Sequence, residues 1–277
     1  MHLKVKTMKN TILYLFIFVA AQLLTGFAAN TISKLWFPET DSSTILLISS
    51  ATCSIFVIIL FTILKWCPVS RNYIRTRPWG TLIWSALFAI GAIIPITWAQ
   101  EFIPETWRQD LIGETLAEML KSREGYFIIC VLAPLAEEIV FRGAIIRALT
   151  KWWKEKGKSN VSSEWYAIVI SSILFAAVHA NPAQIPAALV FGIFLGWLFV
   201  KTGSIFPGTI VHWINNSFAY VMLNLFPTLP IDAKMADYFN GNQLAVAQAV
   251  IASLLIALPS LYQLIKTPRC TPRISEI

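Results

Sequence analysis

The stretch Leu135-Ala136-Glu137-Glu138-Ile139-Val140-Phe141-Arg142-Gly143 sets two carboxylates and a guanidinium inside a run that otherwise reads as membrane-spanning. Ionisable side chains at bilayer depth are costly, so where they occur they mark a functional site or a partnered structural one. The flanking residues 125–149 are long enough for one span, since about 20 predominantly apolar residues cross a hydrocarbon core.

Working outward, further uncharged runs lie at 10–33, 42–64, 78–100, 165–200, 202–231 and 238–265. The run 165–200 would make a helix about 54 Å long at 1.5 Å per residue, too long for one span. Asn181-Pro182 and Pro186 interrupt it, which predicts two spans, 166–180 and 183–200, joined by a tight turn. The expected fold is all-α: a polytopic transmembrane helix bundle of eight spans forming a single membrane domain over 1–277. Only 13% of residues are charged, about half the share of a soluble domain, and the alternating polarity of a β-barrel is missing.

The net charge of +7 reflects topology and gives no sign of a nucleic-acid partner. Sixteen of the basic residues fall in alternate connections: Lys4, Lys6 and Lys9; Lys65, Arg71, Arg75 and Arg77; Arg147, Lys151, Lys154, Lys156 and Lys158; Lys201; and Lys266, Arg269 and Arg273. Five lie on the other side: Lys34, Arg108, Lys121, Arg123 and Lys234. The positive-inside rule then puts both termini in the cytoplasm. Between the two readings of the N-terminus, a signal peptide and a retained first span, the length of the apolar stretch favours the retained span. Cys53, Cys67, Cys130 and Cys270 form no Cys-x-x-Cys pair and read as scattered apolar residues. The outer loop 101–124 carries Leu111, Leu116, Met119 and Leu120 beside acidic residues, which predicts either an amphipathic surface helix or an ordered loop helix.

The chemistry-bearing residues recur at a spacing of four. Glu138 and Arg142 share a helical face and can pair; Phe175 and His179 have the same offset, as do His212 and Asn216. In α-geometry Glu137 is rotated about 100° from Glu138, so the two carboxylates have different surroundings. Counted from Lys151, Glu164 and Lys201 at the cytoplasmic boundary, Glu137, His179 and His212 lie about 16–22 Å deep, near one level. Each residue has a bland reading beside the sharp one. Glu138 and Arg142 form a structural ion pair as readily as a catalytic one. Histidines and Asn216, or the competing Asn215, glue helices together. Phe175 shapes the pocket wall, and Gly143, Gly192, Gly196, Gly203 and Gly208 permit close helix approach. Glu137, with no cationic partner in its own turn, is the candidate general base. His-Glu-x-x-His and Gly-x-Ser-x-Gly motifs are absent, which excludes the usual zincin and serine-hydrolase patterns.

With Glu137-Glu138-x-x-x-Arg142, Phe175-x-x-x-His179 and His212-x-x-x-Asn216 in that order, the sequence resembles the CAAX prenyl protease and bacteriocin-processing (Abi or CPBP) family of intramembrane glutamic endopeptidases. The motif core covers 125–220. The resemblance implies a hydrolase in which Glu137 is the catalytic glutamate, His179 helps it activate water, His212 and Asn216 form the oxyanion site, and Glu138, Arg142 and Phe175 support them. It implies no cofactor, with zinc on Glu137, His179 and His212 as the alternative. The expected partners are a peptide or membrane-anchored protein substrate and the lipid bilayer, with no nucleic acid. The charge asymmetry suits a multi-pass protein of a bacterial cytoplasmic membrane. Two other classes fit the same cluster: a non-enzymatic bacteriocin immunity or binding protein, and a proton-coupled transporter.

Overall fold

Helices form wherever the apolar runs lie, and their ends follow local capping chemistry. The computed structural model describes residues 2–67, 73, 75–104, 107 and 109–270, with side chains from residue 8 onward. Arg71, Arg108 and Arg273 of the charge pattern fall outside the described residues, as do the side chains of Lys4 and Lys6. The long helices are α1 (His2–Trp36), α2 (Ser42–Ile63) and α3 (Trp79–Gln100). A two-turn α4 (Gly113–Met119) precedes the composite helix α5, residues 123–155. Then come α6 (Asn160–Val178), α7 (Ile185–Thr202), α8 (Phe206–Leu225) and α9 (Gln243–Lys266). Asp41 caps α2 by accepting from Thr44 N at 2.9 Å and from the Ser43 and Thr44 hydroxyls. Those donors, the Ser43 hydroxyl first, hold its carboxyl well below the usual carboxylate range.

The protein is a multi-pass integral membrane protein: six helices (α1, α2, α3, α6, α7 and α9) are long and apolar enough to cross a bilayer. The other two positions where the sequence predicts spans are occupied by α5 and α8, the helices that carry the glutamates and His212. The turn predicted at Asn181-Pro182 separates α6 from α7. The boundary at Glu164 shifts: α6 starts at Asn160, because Ser159 caps it through Ser162 N at 3.2 Å. Glu164 therefore sits inside the helix, buried against Arg269 at 2.7 Å. The outer-loop helix is packed inward, since Ala117, Met119 and Leu120 are buried.

Contacts sort the connections into two ends. At one, the Trp66 ring packs tilted against Tyr14, centroids 4.9 Å apart. The segment Arg147–Glu155 packs against both α1 and α6 there, and Lys201 donates to Ile265 O at 2.7 Å. At the other, Leu111 N donates to Asn181 Oδ1 at 3.2 Å and Asn224 Nδ2 to Leu120 O at 3.1 Å. The basic connections thus share an end, as the charge pattern predicts.

The core gathers around α5. Phe141 meets Phe18 of α1 at 5.4 Å and Phe175 of α6 at 5.3 Å, edge to face. Small residues let helices close on one another. A Cβ on Gly91 of α3 would fall 2.6 Å from Ala257 N, so α3 and α9 pack backbone to backbone.

Candidate active site

Helix α5 is not uniformly α-helical. Tyr126–Leu132 and Glu138–Ile146 are π-helical, flanking an α segment at Ala133–Glu137. Wide turns of this kind occur mostly at functional sites. The first one has a visible consequence. Ala133 N donates to Ile128 O, and the residue that would serve Ile129 O next in the i→i+5 series is Pro134, which has no N–H. Asn216 of α8 fills the gap, its Nδ2 donating to Ile129 O at 3.0 Å. Asn215 Nδ2 in turn donates to Asn216 Oδ1 at 3.2 Å. Trp213 Nε1 reaches Tyr126 Oη at 2.9 Å and completes the lacing of α8 to α5. Nothing in the sequence pattern announced the π turns. The one local signal was Pro134 within a span.

The α-to-π junction falls between the two glutamates, and both reach His212 of α8. His212 stands between them: Nδ1 is 3.2 Å from Glu138 Oε1, and Nε2 is 3.6 Å from Glu137 Oε2. Burial separates the two carboxylates. The Glu138 side chain is fully buried, whereas that of Glu137 is 21% exposed and so is the one a substrate or water can reach. A buried polar group of this kind persists only when partnered. Glu138 has Arg142 Nη1 at 3.0 Å in addition to His212. That contact has charge-pair distance but lies off the N–H axis, so Nη1 makes no hydrogen bond among the described residues, and neither do Arg142 Nε or Glu138 Oε2. Arg142 is 1% exposed. Its Nη2 donates to Gly192 O at 3.4 Å, and its guanidinium sits 4.3 Å above the Phe175 ring. Gly208 of α8 presses on the same carboxylate, for a Cβ there would lie 2.9 Å from Glu138 Oε2.

His179 caps the C-terminus of α6. Its Nδ1 lies 2.8 Å from Phe175 O, a carbonyl that can only accept, so Nδ1 carries the hydrogen. The ring packs edge-on to Phe175 at 4.8 Å, and Phe175 also touches the His212 ring at 5.9 Å. Phe175 is 1% exposed and links both imidazoles to Arg142. The structure thus brings Glu137, Glu138, Arg142, Phe175 and His212 together directly. His179 joins through Phe175, and Asn216 lies one turn beyond His212, engaged with α5. Of the glycines predicted to permit close approach, Gly192 lies against Ser172 and Gly196 against Ile146 and Ile168, while Gly208 abuts the site itself.

Zinc needs three or four donors about one point. No three His, Cys, Asp or Glu side chains among the described residues are grouped that way, so the alternative set Glu137, His179 and His212 does not fit as arranged.

Residues 124–218 match the family model described as Rce1-like, type II CAAX prenyl endopeptidase Rce1-like. This segment is similar to the Rce1-like, CAAX-protease family. It spans every residue of the cluster, from the start of α5 to the middle of α8. The chain is also similar to the protein named "Putative membrane peptidase YdiL" from Bacillus subtilis (strain 168), at 29% identity over 92 residues. That match covers 33% of this chain and 34% of the relative, so the chain spans about a third of that protein's length. No solved structure matches the chain.

Proposed function

We propose that this protein is an intramembrane endopeptidase of the CAAX-processing or bacteriocin-processing type, hydrolysing a peptide bond with a water activated by Glu137. The observation that carries the reading is His212 held between two carboxylates of which only Glu137 is accessible. The Rce1-like segment supports a peptide or membrane-anchored protein as substrate. The sixteen-to-five charge split supports a bacterial cytoplasmic membrane as its location.

In this reading Glu137 takes a proton as the water oxygen attacks the scissile carbonyl carbon. His179, with Nδ1–H committed to Phe175 O, offers its bare Nε2 to orient the same water. The oxyanion that develops receives the second N–H of Asn216 Nδ2 and, from protonated His212, the Nε2–H. Glu138 accepts the Nδ1–H of His212 and so fixes the ring's orientation, while Arg142 balances the charge of Glu138. When the tetrahedral carbon collapses, the C–N bond breaks and Glu137 returns the proton to the leaving nitrogen. No step is routed through a metal or cofactor.

The test is cleavage of membrane-anchored peptides, prenylated and unprenylated at a cysteine near the C-terminus, by detergent-solubilised protein. Positioned acid–base groups contribute about 10²–10⁴ in rate, so Glu137→Gln should lose at least about a hundredfold. Unimpaired turnover by a folded Glu137→Gln variant overturns the proposal.

A further inference from the structure

The turn that follows His179 is held from outside its own helices. Asn181, two residues on, is completely buried although it lies in the longest apolar run of the chain. Its Nδ2 donates to Asp110 Oδ1 at 2.8 Å, and its Oδ1 accepts from Leu111 N at 3.2 Å. Ala183 N donates to Gln109 O at 3.2 Å, and Ile112 N returns to Asp110 Oδ1 at 3.2 Å. Both polar atoms of the Asn181 carboxamide therefore bond to the outer loop, some seventy residues earlier in the chain. Between His179 and Asn181 stands Ala180 at φ 50°, a left-handed conformation that residues with a Cβ seldom take without support.

The last turn of α6 is correspondingly tight. His179 N bonds to Ala176 O at 3.3 Å and Ala180 N to Ala177 O at 3.2 Å, three residues back rather than four. His179 is thus placed by a helix terminus, and the clasp of Asp110 with Asn181 decides where that terminus leaves the helix. His212, in the middle of α8, needs no such support.

We propose that Asp110 and Asn181 are positioning residues for His179, locking the outer loop onto the α6–α7 turn and so setting the imidazole against the Glu137 water. This rests on the reading of His179 as a partner of Glu137, but the placement of the ring is open to measurement without any turnover. Neither residue belongs to the motifs that carry the family resemblance.

The chain has only three histidines, so ¹⁵N-histidine NMR of the detergent-solubilised full chain resolves His179 and His212 separately. Asp110→Ala should move the His179 ring signals and leave those of His212 in place. Cleavage should fall in kcat by about ten- to a hundredfold, the scale of an ångström-level misplacement, with KM held. Asp110→Asn keeps an acceptor for Asn181 and should restore both readouts. Asn181→Asp sets two carboxylates against each other and should mimic Asp110→Ala, whereas the exchanged pair Asp110→Asn with Asn181→Asp should recover. The proposal is overturned if His179 signals do not move in Asp110→Ala, if His212 moves equally, or if the exchanged pair is no better than Asn181→Asp. Persistent cleavage by Glu137→Gln would sink the hydrolytic reading instead, and the histidine spectra would still decide the clasp.

Discussion

Replacing Arg142 by methionine keeps an unbranched chain of similar reach in the core and removes the charge opposite Glu138. At 3.0 Å and an effective dielectric near 20, the gross attraction is about 5.5 kcal/mol. Both side chains are essentially buried, and among the described residues the one other cation that touches Glu138 is His212 in its protonated form. Breaking such a pair from one side leaves an uncompensated buried charge and costs about 3–5 kcal/mol. A further fraction, about 0.5–2 kcal/mol, comes from the Phe175 face that loses its guanidinium. At about 2–4 °C per kcal/mol for a chain of this order of size, Arg142→Met should melt roughly 7–28 °C below wild type. Thermal unfolding in detergent, followed by tryptophan fluorescence, measures this. The double variant Glu138→Gln with Arg142→Met removes both charges and leaves His212 an amide oxygen, so most of the loss should return. Arg142→Met melting within about 2 °C of wild type, or a double variant no more stable than the single, would refute the reasoning.

Other consequences follow from the same geometry. Gly208→Ala drives a methyl to within 2.9 Å of Glu138 Oε2, on a carboxylate that Arg142 and His212 hold through Oε1. It should cost about 1–3 kcal/mol in detergent melting and lower cleavage by displacing Glu138 from His212. Chelators should leave cleavage unchanged, because the described donors are not grouped for a metal. Loss of activity on chelation, restored by zinc, would favour a metal-activated water over activation by Glu137 alone. Phe175→Leu should weaken cleavage more than it weakens melting, since Phe175 touches Arg142 and both histidines; the ratio of the two effects in one preparation checks it.

The helices were legible because the bilayer demands long apolar runs and the charges collect at alternate connections. The cluster was legible because carboxylates and imidazoles are rare in such runs. What the pattern hid has a common physical cause: it depends on backbone geometry and on partners distant in sequence. An i, i+4 reading of Glu138 and Arg142 anticipates their ion pair, yet His212 reaches both glutamates, which α-geometry sets about 100° apart. Asn216 reads as helix glue in competition with Asn215, with no partner visible in the pattern. Its partner is a carbonyl left open because Pro134, 82 residues away, has no N–H. Glu164, being charged, reads as a loop boundary, but its pairing with Arg269 across 105 residues lets it sit inside α6. Asn181 read as a breaker beside Pro182, and its bond to Asp110 lies across a loop that carries no motif.

The central claim is that Glu137 acts on water and does not itself attack the substrate. Single-turnover cleavage in ¹⁸O-water, with the new C-terminus analysed by mass spectrometry, tests it directly. One ¹⁸O in every product carboxylate, with turnover abolished in Glu137→Gln, is the result this account predicts. Unlabelled product in the first turnover, its oxygen donated by an acylated Glu137, would contradict it.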